Sequence, residues 1–121
     1  MVEFYSDSAG ENRWRILEAD EGEEIINKST EGFSTHGGAK NNLLVAYSLI
    51  SLYLVALVQD GSFEAIEFYE DEDGKHRWRV TSDNNEIVAA AHKGFATEGE
   101  AKNNLLITYT MISTYLAMAA Q

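Results

Sequence analysis

Ala39-Lys40-Asn41-Asn42-Leu43-Leu44 returns unchanged as Ala101-Lys102-Asn103-Asn104-Leu105-Leu106. Just upstream, Gly32-Phe33 returns as Gly94-Phe95 at the same spacing. Further upstream, Glu3-Phe4-Tyr5 returns as Glu67-Phe68-Tyr69 and Arg13-Trp14-Arg15 as Arg77-Trp78-Arg79, at a spacing two residues longer. The two-residue difference falls between Ile16 and Glu24, so the first copy has the longer turn there. About half of the aligned positions are identical, which reads as a tandem duplication. The joint is expected near Asp60-Gly61-Ser62, giving repeat one over 1–60 and repeat two over 61–121 within a single domain.

Each copy reads as three strands and one helix. Val2 to Ser6 alternates apolar and polar residues, and Asp7-Ser8-Ala9-Gly10 bounds it. Asn12 to Leu17 alternates again, Gly22 marks a turn, and Glu24 to Lys28 is a short third strand. Thr35 is the N-cap of a helix running to about Val58, with Gly61 as a stop. In the second copy Thr97 and Glu100 form a capping box, and the helix runs from Glu98 almost to Gln121.

Side-chain chemistry registers the first hairpin. Phe4 opposite Trp14 puts Val2 opposite Ile16 on one face, with Glu3 opposite Arg15 and Tyr5 opposite Arg13 on the other. The second copy repeats the set as Phe68–Trp78, Ile66–Val80, Glu67–Arg79 and Tyr69–Arg77. Cross-strand pairs of this kind contribute about 0.2–1 kcal/mol each. The expected fold is therefore α+β: duplicated β-β-β-α units forming one antiparallel sheet, with two long apolar helices packed on one face.

Those helices lack a charged face. No charged residue occurs from Asn41 to Gln59 or from Asn103 to Gln121, although a surface helix normally carries charge opposite its apolar stripe. Only a narrow polar stripe exists, Asn41, Ser48 and Ser51 in one helix and Asn103, Thr110 and Ser113 in the other. One side of each helix is expected on its own sheet, the other against a second copy of the chain. A membrane span is the rival, since about 20 apolar residues cross a bilayer. It is disfavoured because a spanning first helix would put the two hairpin sets on opposite sides of the membrane. No basic flanks mark an orientation either.

The combination of Glu3-Phe4-Tyr5, Gly10, Arg13-Trp14-Arg15, Glu24-Ile25-Ile26 and Glu31-Gly32-Phe33-Ser34-Thr35, with its second-copy counterparts, resembles the YegP-like family of small uncharacterised proteins. The resemblance covers roughly residues 2–40 and 66–102. It implies an α+β fold in which two units join into one sheet with helices against it. It implies no activity, cofactor or catalytic residue. The chain departs from the family in its longer apolar helix and in ending on a helix rather than a further strand.

Composition narrows the functional classes. Nine Lys and Arg stand against 20 Asp and Glu, a formal charge of −11, which argues against general binding to a phosphate backbone. Five lysines among so many carboxylates also fit adaptation to a high-salt cytoplasm, the reading preferred here. Resemblance to an extreme-halophile member follows from it. Cysteine is absent, which removes disulfides, thiolate metal sites and cysteine nucleophiles. The N-terminus lacks a signal-like segment, so a cytoplasmic location is expected.

The candidate ligand-binding residues form two sets. The first is Tyr5, Arg13 and Arg15 with Tyr69, Arg77 and Arg79: guanidinium forks beside tyrosines could hold a phosphate or stack on a base. The competing structural reading buries Trp14 and Trp78 and pairs the arginines with facing carboxylates and tyrosines. The second set is Lys40 and Asn41 with Lys102 and Asn103, in the first helical turns, where backbone N–H groups could assist anion binding. There the structural reading has the amides cap or bridge the helices. His36, His76 and His92 do not align between copies and lack metal-ligand spacing. Glu70-Asp71-Glu72-Asp73-Gly74 fails the calcium-loop pattern. Phosphate loops and nucleophile elbows are absent. The expectation is a non-enzymatic, cofactor-free, homo-oligomeric binding or scaffolding module, with nucleic-acid or anion binding through the Arg-Trp-Arg face as the alternative.

Overall fold

The computed structural model describes residues 1–17, 25–59 and 64–119. The turn at Gly22, the strand start at Glu24, the joint at Asp60-Gly61-Ser62 and the end at Gln121 lie outside the described residues. The elements are β1 (Val2–Ser6), β2 (Asn12–Leu17), β3 (Ile25–Lys28), α1 (His36–Val58), β4 (Ile66–Glu70), β5 (His76–Thr81), β6 (Ile87–Ala91) and α2 (Glu98–Ala119). The architecture is α+β, with one six-stranded sheet in the order β1-β2-β3-β6-β5-β4. Every pairing is antiparallel.

Both hairpins adopt the register read from their side chains. Val2 faces Ile16, Glu3 faces Arg15, Phe4 faces Trp14 and Tyr5 faces Arg13. Ile66–Val80, Glu67–Arg79, Phe68–Trp78 and Tyr69–Arg77 repeat the pattern. The hairpins meet through β3 and β6, where Asn27 pairs with Ala91 and Lys28 with Ala90.

Each hairpin turn is built around an aspartate and a glycine. Gly10 and Gly74 sit at φ of 81° and 76°, left-handed values that a side chain opposes. The Gly-Phe motif has a different role. Phe33 exchanges backbone hydrogen bonds with Asn12 at 2.7 and 2.8 Å, bringing Gly32 against the turn. A Cβ on Gly32 would lie 2.7 Å from the Glu11 Cβ, and Gly94 is crowded in the same way by Lys75.

Both helices start at threonine caps. Thr35 Oγ1 accepts from the Gly38 N–H at 3.0 Å, and Thr97 Oγ1 accepts from the Glu100 N–H at 3.1 Å. The Thr97 hydroxyl also donates to the Glu100 carboxylate at 3.3 Å.

The helices lie against the sheet face that carries Trp14, Ile16, Trp78 and Val80, where all four are fully buried with Leu43, Ile50, Leu105 and Ile112. Their course differs from the expectation that each packs on its own unit. α1 starts on β2 and ends over the other half, where Tyr53 meets Phe68 of β4 with ring centroids 6.0 Å apart. α2 starts on β5 and ends over β1, where Tyr115 meets Phe4 at 5.8 Å. The two helices contact each other, and Tyr47 stacks on Tyr109 with the rings 5.1 Å apart and 2° from parallel. The physical reason is length. A helix rises about 1.5 Å per residue and strands lie roughly 4.8 Å apart, so a helix of this length reaches beyond its own three strands.

Candidate functional site

Alternation along β2 and β5 sends the tryptophans inward and the arginines to the opposite, outer face. There each guanidinium already holds a carboxylate. Arg13 Nε donates to Asp7 Oδ2 at 2.6 Å, and Arg77 Nε donates to Asp71 Oδ2 at 2.6 Å. Arg15 pairs with Glu3 at 2.5 Å, and Arg79 pairs with Glu67. Arg15 also lies over the Tyr5 ring, 4.4 Å from its centroid, and Arg79 over Tyr69 at 4.8 Å. A polyanion would have to displace a carboxylate at every arginine it used. That weighs against the Arg-Trp-Arg motifs as a nucleic-acid surface.

Asp7 and Asp71 are the partners that sequence reasoning missed. Each turn folds so that its aspartate accepts from backbone and arginine together. Asp7 Oδ1 takes the N–H groups of Ala9 and Glu11, both at 2.9 Å. Asp71 Oδ1 takes those of Asp73 and Lys75 at 2.9 and 3.0 Å. A signal was present, since both aspartates precede an Arg-Trp-Arg motif by the same spacing. The arginine hydrogen bond, followed by the backbone donors, holds both carboxyls below the usual carboxylate range.

Because the folded values are depressed, the stability these turns contribute is present above the unfolded carboxylate pKa of about 3.9. It is lost as pH falls through the depressed values. The Asp7→Asn/Asp71→Asn variant is therefore expected to show a smaller fall in melting temperature between pH 5 and 2 than the parent, measured by circular dichroism. An unchanged acid limb would show that these turns do not contribute to it.

The second candidate set lies on the helices. Lys40, Asn41, Lys102 and Asn103 are exposed, whereas the next residue in each pair turns inward. The Trp14 indole N–H donates to Asn42 Oδ1 at 2.7 Å, and the Trp78 indole to Asn104 Oδ1 at 2.9 Å. These amides neither cap the helices nor bridge them. They tie each helix to the tryptophan of its own hairpin. Lys102 reaches Glu98 at 3.6 Å and lies 5.6 Å from the Phe68 ring centroid. Asn41 lines a cleft of about 420 Å³ with Glu31, Asp83 and Glu86. Thus the arginines and the Lys-Asn pairs occupy opposite faces of the sheet and do not form one site. Among the described residues, no group of three or more histidines and carboxylates is arranged to hold a metal ion.

No protein-family model matches the chain, and no curated protein matches it. Two solved structures share the fold. The solution structure of YegP from Escherichia coli, a protein of unknown function, superposes with a TM-score of 0.69 at 17% identity. It covers 92% of this chain and 84% of its own. A UPF0339 protein from Shewanella oneidensis superposes with a TM-score of 0.67 at 14% identity, covering 92% of this chain and 82% of its own. The chain has a YegP-like fold.

Proposed function

We propose that this protein is a non-enzymatic binding or scaffolding module that associates with a second copy of itself through the helix layer. The observation that carries the reading is the outward side of the helices. Leu44, Leu52, Val55, Leu57 and Val58 of α1 are exposed, as are Leu106, Ile107 and Met118 of α2. No charge occurs on either helix from the asparagine pair onward. Met118 also lines a hollow of about 440 Å³ with Met1, Val2, Met111 and Tyr115. Contiguous apolar surface rimmed by polar residues marks an association site.

Two further parts of the reading have support of the same kind. Repetition of the β-β-β-α order and of both hairpin registers favours a tandem duplication. The charge of −11 favours a high-salt cytoplasm, where surface carboxylates keep the chain soluble. By length and composition α1 could cross a bilayer, with a mean hydropathy of 1.8. Its two ends, however, lie against strands of one sheet, which favours cover by protein.

Sedimentation equilibrium at micromolar concentration, in dilute buffer and in molar KCl, tests the association. The expected result is a dimer or higher oligomer that the Leu44→Glu/Leu106→Glu variant converts to a folded monomer. A parent chain that is monomeric in both solutions would overturn the reading.

A further inference from the structure

The outer face holds one feature that the arginine pairs do not account for. Where β3 meets β6, a hollow of about 330 Å³ opens between Arg13, Lys28, Thr30, Ala90 and His92. It exists because the two halves differ there. Lys28 aligns with Ala90 and Thr30 with His92, so the long side chains from the two strands do not fill the same space. Ala90 pairs directly with Lys28 across the seam and leaves its floor low.

The titratable side chains that line this hollow, Arg13, Lys28 and His92, are all basic. In a chain of net charge −11, Lys28 and His92 make no ion pair among the described residues. Asp7 and Asp71, the carboxylates of the neighbouring turns, are each taken by an arginine and by backbone donors. Burial first, then the charges of Lys28, Lys93 and Arg77, hold the His92 imidazole below its usual range. An anion seated among these groups would relieve that repulsion and favour the imidazolium.

We infer that the β3–β6 seam binds a small oxyanion of the phosphate type, held by Lys28 and His92 beside the Arg13–Asp7 pair. The hollow is larger than a bare phosphate, so a phosphate monoester with a small substituent has the same recognition chemistry. The site lies on the face opposite the helices and stays open if they pair with a second copy. It is thus independent of the self-association reading.

The test is a titration of the full chain, labelled with 15N, followed by amide and histidine ring signals. Inorganic phosphate and glycerol 3-phosphate are the two ligands, with chloride at matched ionic strength as control. Phosphate is expected to move the signals of Lys28, Ala90 and His92 and to raise the pH at which the His92 ring titrates. Lys28→Gln is expected to weaken binding roughly tenfold or more. Ala90→Glu, which places a carboxylate on the floor of the hollow, is expected to abolish binding while the remaining amide spectrum persists. Tighter binding of the ester than of the free ion would identify a monoester site, and equal binding a site that reads only the phosphoryl group common to both. Shifts no larger than with chloride, or Lys28→Gln binding as the parent does, would overturn the inference. So would binding only to a single-stranded oligonucleotide, with a salt dependence spanning several phosphates.

Discussion

Trp14→Ala is expected to cost about 3–5 kcal/mol, a large share of the roughly 5–15 kcal/mol available to a small domain. Trp78→Ala is expected to cost about as much. Both indoles are fully buried, and each sits between its β-strand and a helix. Removing one opens a cavity where sheet and helix meet and leaves the amide oxygen of Asn42 or Asn104 without its donor. The two contributions separate experimentally. Trp14→Phe keeps an aromatic ring in place but removes the N–H together with the five-membered ring, so it is expected to cost about 1–3 kcal/mol, less than Trp14→Ala. Adding Asn42→Leu to Trp14→Phe is expected to recover part of that loss, because no polar atom then remains unpaired. Urea unfolding followed by circular dichroism, at fixed protein concentration, reads all four variants. A Trp14→Ala cost below about 1 kcal/mol would mean that the two layers close over the missing ring, and that the indole does not anchor helix to sheet.

The hairpins were legible because one chemical pattern appears twice. An aromatic pair, an aliphatic pair, an acid opposite an arginine and a tyrosine opposite an arginine leave one register in which all four agree, and both hairpins adopt it. Capping was legible for a local reason, since Thr35 and Thr97 act within one turn of their own helices. The helix trajectory was not legible. Apolar composition says that a helix needs cover, but not in which direction it crosses a sheet.

Asn41 and Asn42 show a related limit. One residue along a helix is a turn of about 100°, as 3.6 residues per turn require. That step separates an exposed amide from one bonded to a buried indole. The aspartates that hold Arg13 and Arg77 belong to tight turns, so their role depends on turn geometry that alternation along the strands does not encode. The anion hollow was hidden for the opposite reason. Lys28 and His92 lie where the two halves differ, so the repeated pattern does not mark them.

The largest departure from likeness inside the core gives the second major expectation. Asn27 of β3 and Thr108 of α2 are fully buried, and Asn27 Nδ2 donates to Thr108 Oγ1 at 3.2 Å. Their aligned positions in the other half are Ala89 and Ala46, also fully buried. A polar bond thus joins β3 to α2, where the matching pair of alanines makes none. Asn27→Ala is expected to cost about 1–3 kcal/mol, because a hydrogen bond between two fully buried groups is lost. Thr108→Ala leaves the Asn27 amide N–H without that acceptor and is expected to cost a similar amount. The Asn27→Ala/Thr108→Ala double variant recreates the alanine pair of the other half and leaves neither group stranded. It is therefore expected to cost less than the two single changes together, with a coupling of about 0.5–3 kcal/mol. Such coupling would assign the bond a directional role: it distinguishes the α2–β3 crossing from the α1–β6 crossing in a molecule whose halves share one element order and one hairpin register. Additivity within about 0.3 kcal/mol would show instead that the crossings are told apart by packing alone.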